Sequence, residues 1–96
     1  MALYLSLCNW TEQGVKKVKQ TTDRVEQAKK LAAKHGVKLR ETLYTVGQYD
    51  FVVSFEAPDD ATVSRFLLAI AAQGNVRSTT MRAFSVDEMR GIVGKI

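Results

Sequence analysis

The sequence predicts an α+β fold: a four-stranded antiparallel sheet with two long helices on one face and a further helix at the C-terminus. Three observations carry this. Short stretches of alternating apolar and polar residues are separated by two longer stretches whose apolar residues recur at helical spacing. The second and third alternating stretches are joined by only Gly47, Gln48 and Tyr49, which makes them a hairpin. A chain of 96 residues, 46% apolar and 25% charged, has the make-up of one globular domain, taken as residues 1–96. A domain this small hides only about 60 to 65% of the surface its unfolded chain exposes, so any roomy cavity is expected to be shared between subunits.

Leu3, Leu5 and Leu7 alternate with Tyr4, Ser6 and Cys8, which gives a first strand ending near Asn9. Thr11 is placed to cap a short helical turn carrying Val15 and Val18. Thr22 or Asp23 then starts a longer helix with Val25, Ala28, Leu31 and Ala32 on one stripe, stopped at Gly36 by a left-handed residue. Strands over residues 37–46 and 50–56 follow. Pro58 and Asp59 fit the first turn of a second long helix, where the missing N–H costs nothing and a carboxylate meets the positive helix end. Its stripe is Val63, Phe66, Leu67, Ile70 and Ala71, and Gly74 ends it. A fourth strand covers residues 76–84. Ser85 and Glu88 then form a capping box, with Phe84 and Met89 as its hydrophobic staple, for a last helix carrying Ile92, Val93 and Ile96. Strand, helix, strand, strand, helix, strand is the split βαβ, or ferredoxin-like, order. Right-handed crossovers put the first and third strands in the centre and leave one sheet face open.

Composition narrows the function. One cysteine and one histidine exclude a disulfide scaffold and point to a reducing, cytoplasmic setting. No apolar run approaches the roughly 18 residues of a membrane helix, so no membrane partner is expected. The net charge of +4 is lopsided: nine Lys and Arg stand against four acids through Gln48, and five against six thereafter. The excess sits in Lys16, Lys17, Lys19, Lys29, Lys30 and Lys34, a stripe read as a solvated helix face. No metal or other cofactor is expected, because Asp50, Glu56 and His35 have no converging spacing and the single histidine does not face the sheet. Nucleic-acid binding is disfavoured for lack of exposed stacking rings.

Hairpin register decides what the open face carries. A two-residue loop would put Leu43 with Ser54, and Tyr44 with Phe51 and Phe55, leaving neither face clean. A three-residue loop groups Leu39, Leu43, Phe51, Val53 and Phe55 under the helices and sets Arg40 opposite Glu56. It also points Glu41 inward, unless a bulge intervenes. In that register Tyr4, Ser6, Cys8, Arg40, Thr42, Tyr44, Asp50, Val52, Ser54, Glu56, Ser78, Thr80 and Arg82 share the open face. Such a face fits a homodimer or higher homo-oligomer whose paired sheets enclose a semi-polar chamber for a small organic ligand.

Gly47-Gln48-Tyr49-Asp50 ahead of Phe51-Val52-Val53, with Ala57-Pro58-Asp59-Asp60 and Gly74-Asn75-Val76-Arg77, resembles the GYD domain family of small prokaryotic proteins. The resemblance runs from Tyr4 to about Glu88. It implies a ferredoxin-like unit related to dimeric α+β barrels, which pair through their sheets, and it implies no settled activity. From the residues alone, Gly47 supplies a positive φ and the Asp50 carboxylate accepts loop N–H groups. Tyr49 sits at the loop tip. The candidate ligand-binding residues are Tyr4, Cys8, Tyr44, Tyr49, Asp50 and Arg82. Asp50 is also the candidate general base of an enzymatic alternative, a cofactor-free monooxygenase or similar small enzyme. The third alternative is a purely structural oligomerisation module.

Overall fold

The computed structural model describes all of residues 1–96. Strand β1 (Ala2–Trp10) opens the chain, and Thr11 caps the short helix α1 (Glu12–Lys16), its hydroxyl oxygen accepting the Gly14 N–H at 3.1 Å. A 3-10 turn over Val18–Gln20 runs straight into α2 (Thr21–Lys34). That continuity explains why α2 begins ahead of the expected caps and needs no side-chain cap of its own. After Gly36, at φ 78°, come β2 (Lys38–Tyr44) and β3 (Phe51–Ala57).

Helix α3 (Asp60–Ala72) is capped by Asp59, whose carboxylate accepts the Thr62 N–H at 2.8 Å. Asp59 therefore stands just outside the helix rather than in its first turn. Strand β4 (Val76–Ala83) leads to α4 (Val86–Val93), and the expected capping box is present: Ser85 Oγ accepts the Glu88 N–H at 3.1 Å and Glu88 Oε1 accepts the Ser85 N–H at 3.0 Å. Sheet order is β2-β3-β1-β4, with every neighbouring pair antiparallel. This is the ferredoxin-like α+β arrangement with a C-terminal helix.

The core is small and aromatic. Tyr4, Ala32, Val37, Phe55, Ala57, Val63 and Phe66 form its buried cluster. The Phe55 ring stacks on Tyr4 at 5.6 Å between centroids and meets the edge of Phe66 at 6.0 Å. Each buried ring of this kind contributes about 1.5 to 3 kcal/mol. Helix α1 adds a closer contact: a Cβ on Gly14 would lie 1.9 Å from the Asn75 carbonyl oxygen, so only glycine lets the two backbones meet.

The side-chain parity of β1 is opposite to the expectation. Tyr4, Ser6 and Cys8 are buried on the helix side, and Leu3, Leu5 and Leu7 point to the open face. Partners across the ladder follow: Arg82, Thr80 and Ser78 pair with Tyr4, Ser6 and Cys8 and therefore lie on the helix side, whereas Met81 and Ala83 lie on the open one. The reason is local satisfaction of polar groups. The Tyr4 hydroxyl donates to Asp60 Oδ1 at 2.5 Å, and the Ser6 and Thr80 hydroxyls are 2.6 Å apart. These bonds let a polar-tipped row go under the helices.

The hairpin is also corrected. Tyr44 pairs with Phe51 and the Thr45 N–H donates to the Asp50 carbonyl at 3.0 Å, so four residues, 46 to 49, form the loop. Leu43 consequently faces out with Val52, and Tyr44 faces the helices with Phe51. A bulge between Leu39 and Glu41 absorbs one residue, which restores Leu39 to the inner row and turns Glu41 outward. Arg40 still meets Glu56 as a charge pair, at 3.1 Å.

Candidate functional site

Two features remain once the core is filled. The first is the open sheet face, with rows Ala83–Leu3–Glu56–Lys38, Met81–Leu5–Ser54–Glu41 and Thr79–Leu7–Val52–Leu43. Its centre is apolar, and Leu43 and Met81 are 55% and 42% exposed. Helix α4 has the same character: Met89, Ile92 and Val93 line one side of it, and none of its residues is buried. The Cα radius of gyration, 14.3 Å, exceeds the roughly 12.5 Å expected for a chain of this length, in keeping with a helix that projects from the body.

The second feature is a cavity of about 120 Å³ between the sheet and helices α2 and α3. Its floor comprises Ser6, Cys8, Val53 and Phe55, and its roof includes Val25, Ala28, Phe66, Leu67 and Ile70. One end is an aromatic group in which Trp10, Tyr44 and Phe51 have centroids 5.7 to 6.4 Å apart. The Tyr44 and Thr21 hydroxyls hydrogen-bond at 3.1 Å, tying β2 to the start of α2. Burial pushes the Cys8 thiol up to about 11, so it is a neutral wall at ordinary pH. Arg24 is the charged side chain of the lining, and its Nη1 is buried with no hydrogen-bond partner.

The residues singled out from sequence separate into three places. Cys8 and Tyr44 come together at the cavity. Tyr4 lies in the core, where the Asp60 carboxylate that accepts its hydrogen, together with burial, holds the phenol above its ordinary pKa range. Tyr49 belongs to the hairpin loop and Asp50 closes it. Asp50 Oδ2 accepts the Trp10 N–H at 2.9 Å and the Asp50 N–H donates to the Cys8 carbonyl at 2.9 Å. The Tyr49 carbonyl accepts the Thr45 hydroxyl, and Gly47 takes a φ of 140°. This signature therefore pins the loop to the end of β1. Arg82 lies at the other end of the sheet: its guanidinium donates to the carbonyls of Leu3 (3.1 Å) and Ala83, covers the Phe84 ring at 4.5 Å, and pairs with Glu88 at 3.7 Å. The Ser85 N–H first, with the Arg82 charge adding to it, holds the Glu88 carboxyl below its usual range. No chamber between paired sheets can contain Tyr4, Cys8, Tyr44 and Arg82 together, because all four are on the helix side.

Sequence reading passed over Arg24. Its signal is positional: it falls four residues before Ala28 and seven before Leu31, on the same stripe of α2.

The covered face with its cavity and the uncovered apolar face define a small α+β module of ferredoxin-like topology. The chain belongs to the GYD domain family, whose model matches residues 4–93. It is similar to the "Glutamine synthetase and cystathionine beta-lyase binding protein" of Thermus thermophilus, with 30% identity over 90 residues, covering 93% of this chain and 95% of that protein.

Proposed function

We propose that the protein is a self-pairing, protein-binding module: two copies close over each other's open sheet face, and the pair docks on metabolic enzymes. The apolar open face carries this reading. Leu3, Leu5, Leu7, Leu43, Val52 and Met81 form a continuous patch where a solvated antiparallel sheet would be polar. Four strands of about eight residues present roughly 19 Å by 26 Å, or about 500 Å² per copy. Two such faces give about 1,000 Å², just short of the roughly 1,200 to 2,000 Å² of stable interfaces, so α4 is needed to complete the contact. Its unburied Met89, Ile92 and Val93 suit that task.

The relative's name supports enzyme partners, of which glutamine synthetase and cystathionine β-lyase are the first to try. Exposed Lys17, Lys19, Lys30 and Lys34 have no acidic partner and offer a positive rim to an acidic surface. The enzymatic alternative through Asp50 has less support, since its carboxylate already holds the Trp10 N–H.

Leu5→Glu tests pairing, because Leu5 lies on the central strand amid the patch. Light scattering should show a dimer or larger assembly for the wild type and a single chain for the variant, with unchanged far-ultraviolet circular dichroism. A wild type that stays monomeric at working concentration refutes pairing. Failure of both purified enzymes to bind at low salt refutes the docking role.

A further inference from the structure

We infer that the cavity between the sheet and helices α2 and α3 is a binding site for a small aromatic monocarboxylate, anchored through its carboxylate to Arg24. The inference stands independently of pairing, which uses the opposite face of the sheet. It begins from an electrostatic imbalance. Arg24 Nη1 is buried and unpartnered, and no aspartate or glutamate is among the residues lining the cavity. A desolvated guanidinium donor without an acceptor is costly, and a planar carboxylate matches its geometry and charge. Thr21 precedes Arg24 by three residues, so its hydroxyl and the Tyr44 hydroxyl bonded to it lie at the same end, and whichever of the two accepts in that bond keeps its own O–H as a neutral donor for the second carboxylate oxygen.

The remainder of the cavity specifies the rest of the ligand. Volume sets the size: about 120 Å³ is close to the apolar cavities of about 150 Å³ that accept a benzene ring. The walls set the class. Trp10, Tyr44 and Phe51 offer ring faces and edges beside Val53, Phe55 and Phe66, and Arg24 is the one charged residue of the lining, so a second anionic group would meet no counter-charge. A dicarboxylate would leave one charge unpaired there, and a nucleotide is too large for the space. A single ring bearing one short acidic arm fits both the walls and the guanidinium.

Trp10 is the chain's one tryptophan and lines the cavity, so its fluorescence reports binding directly. The intact protein is titrated with phenylacetate and, separately, with neutral, isosteric phenylacetamide. Phenylacetate should give a saturable change and bind roughly 10- to 100-fold more tightly than the amide, the span expected for a hydrogen bond to a charged partner. Arg24→Gln, checked for folding by thermal melting, should erase that difference by weakening phenylacetate while leaving the amide unaltered. Bound phenylacetate should also slow modification of Cys8, which an apolar compound sitting elsewhere would not do. Equal affinities for acid and amide in the wild type, or an unaltered preference in Arg24→Gln, would overturn the assignment. So would the absence of saturation below about 10 mM. The monomeric Leu5→Glu chain should bind phenylacetate like the wild type, so a failure of pairing leaves this test readable.

Discussion

Gly14→Ala separates the tertiary argument from helix propensity. Propensity alone makes the substitution favourable by about 1 kcal/mol, since Gly14 lies within α1. Geometry opposes it. The new Cβ would be 1.9 Å from the Asn75 oxygen, 2.9 Å from its carbonyl carbon and 3.2 Å from its Cα, all backbone atoms without a rotamer to yield. Relief to an ordinary C···O contact of about 3.3 Å moves the segments apart by roughly 1.4 Å. The same seam holds the Thr11 N–H on the Asn75 carbonyl at 3.1 Å and the Thr11 hydroxyl on the Gly74 carbonyl at 2.6 Å. Both would lengthen past hydrogen-bonding distance. Two lost bonds at about 1 kcal/mol each and an overpacking cost of about 1 to 3 kcal/mol outweigh the propensity gain. A net loss of about 3 kcal/mol lowers Tm by about 12 to 24 °C in a domain of this size. Gly91→Ala is the comparison, because Gly91 lies inside α4 with nothing within 4 Å of an added Cβ, and it should gain about 0.5 to 1 kcal/mol. Urea and thermal melts followed by circular dichroism measure both. A Gly14→Ala protein melting at or above the wild type would refute the close-approach argument.

Three further outcomes follow from the same structure. Cys8 should react with a disulfide reagent at pH 8 at least about 100-fold more slowly in the folded protein than in urea, because burial raises its pKa to about 11; rapid native-state modification would contradict this. The raised value also means that its contribution to stability is complete below the unfolded thiol value near 8.5 and is lost as pH climbs toward 11. The Thr62 N–H holds the Asp59 carboxyl below its ordinary range, so Asp59 stabilises α3 above the unfolded value of about 3.9, and that stabilisation disappears as acid protonates the folded group. Asp59→Asn keeps a competent cap while removing this titration, so acid melts of the variant should lose less stability than those of the wild type between neutral pH and pH 3; parallel curves would refute the role. Asp50→Ala removes the acceptor of the Trp10 N–H and should cost about 1 to 2 kcal/mol in a urea melt while shifting Trp10 fluorescence, whereas an unchanged melt would mean that the carboxylate does not hold the loop.

Element order, the central strands and the Ser85–Glu88 capping box were legible because each depends on local spacing. Strand parity was not. Judging β1 by polarity sends Leu3, Leu5 and Leu7 inward, yet the helices accept Tyr4, Ser6 and Cys8 because Asp60 and Thr80 take the two hydroxyls. Neither partner is near in sequence, so alternation carries no trace of them. Both sheet faces are rich in apolar residues, and the usual contrast between a greasy and a wet side vanishes. The candidate site suffered accordingly. Cys8 and Tyr44 do converge, but under the helices and around a guanidinium whose isolation exists only once α2 lies on the sheet.

Strand β2 carries a supernumerary residue. Leu39 and Thr42 both pair with inward-facing partners although three positions separate them, and the bulge reconciles that odd interval. Excising residue 40 would let the ladder run on unbroken with the same neighbours on either side, at the expense of the ionic contact with Glu56. The edge of this sheet should thus tolerate the loss of one residue without any inversion of its pattern.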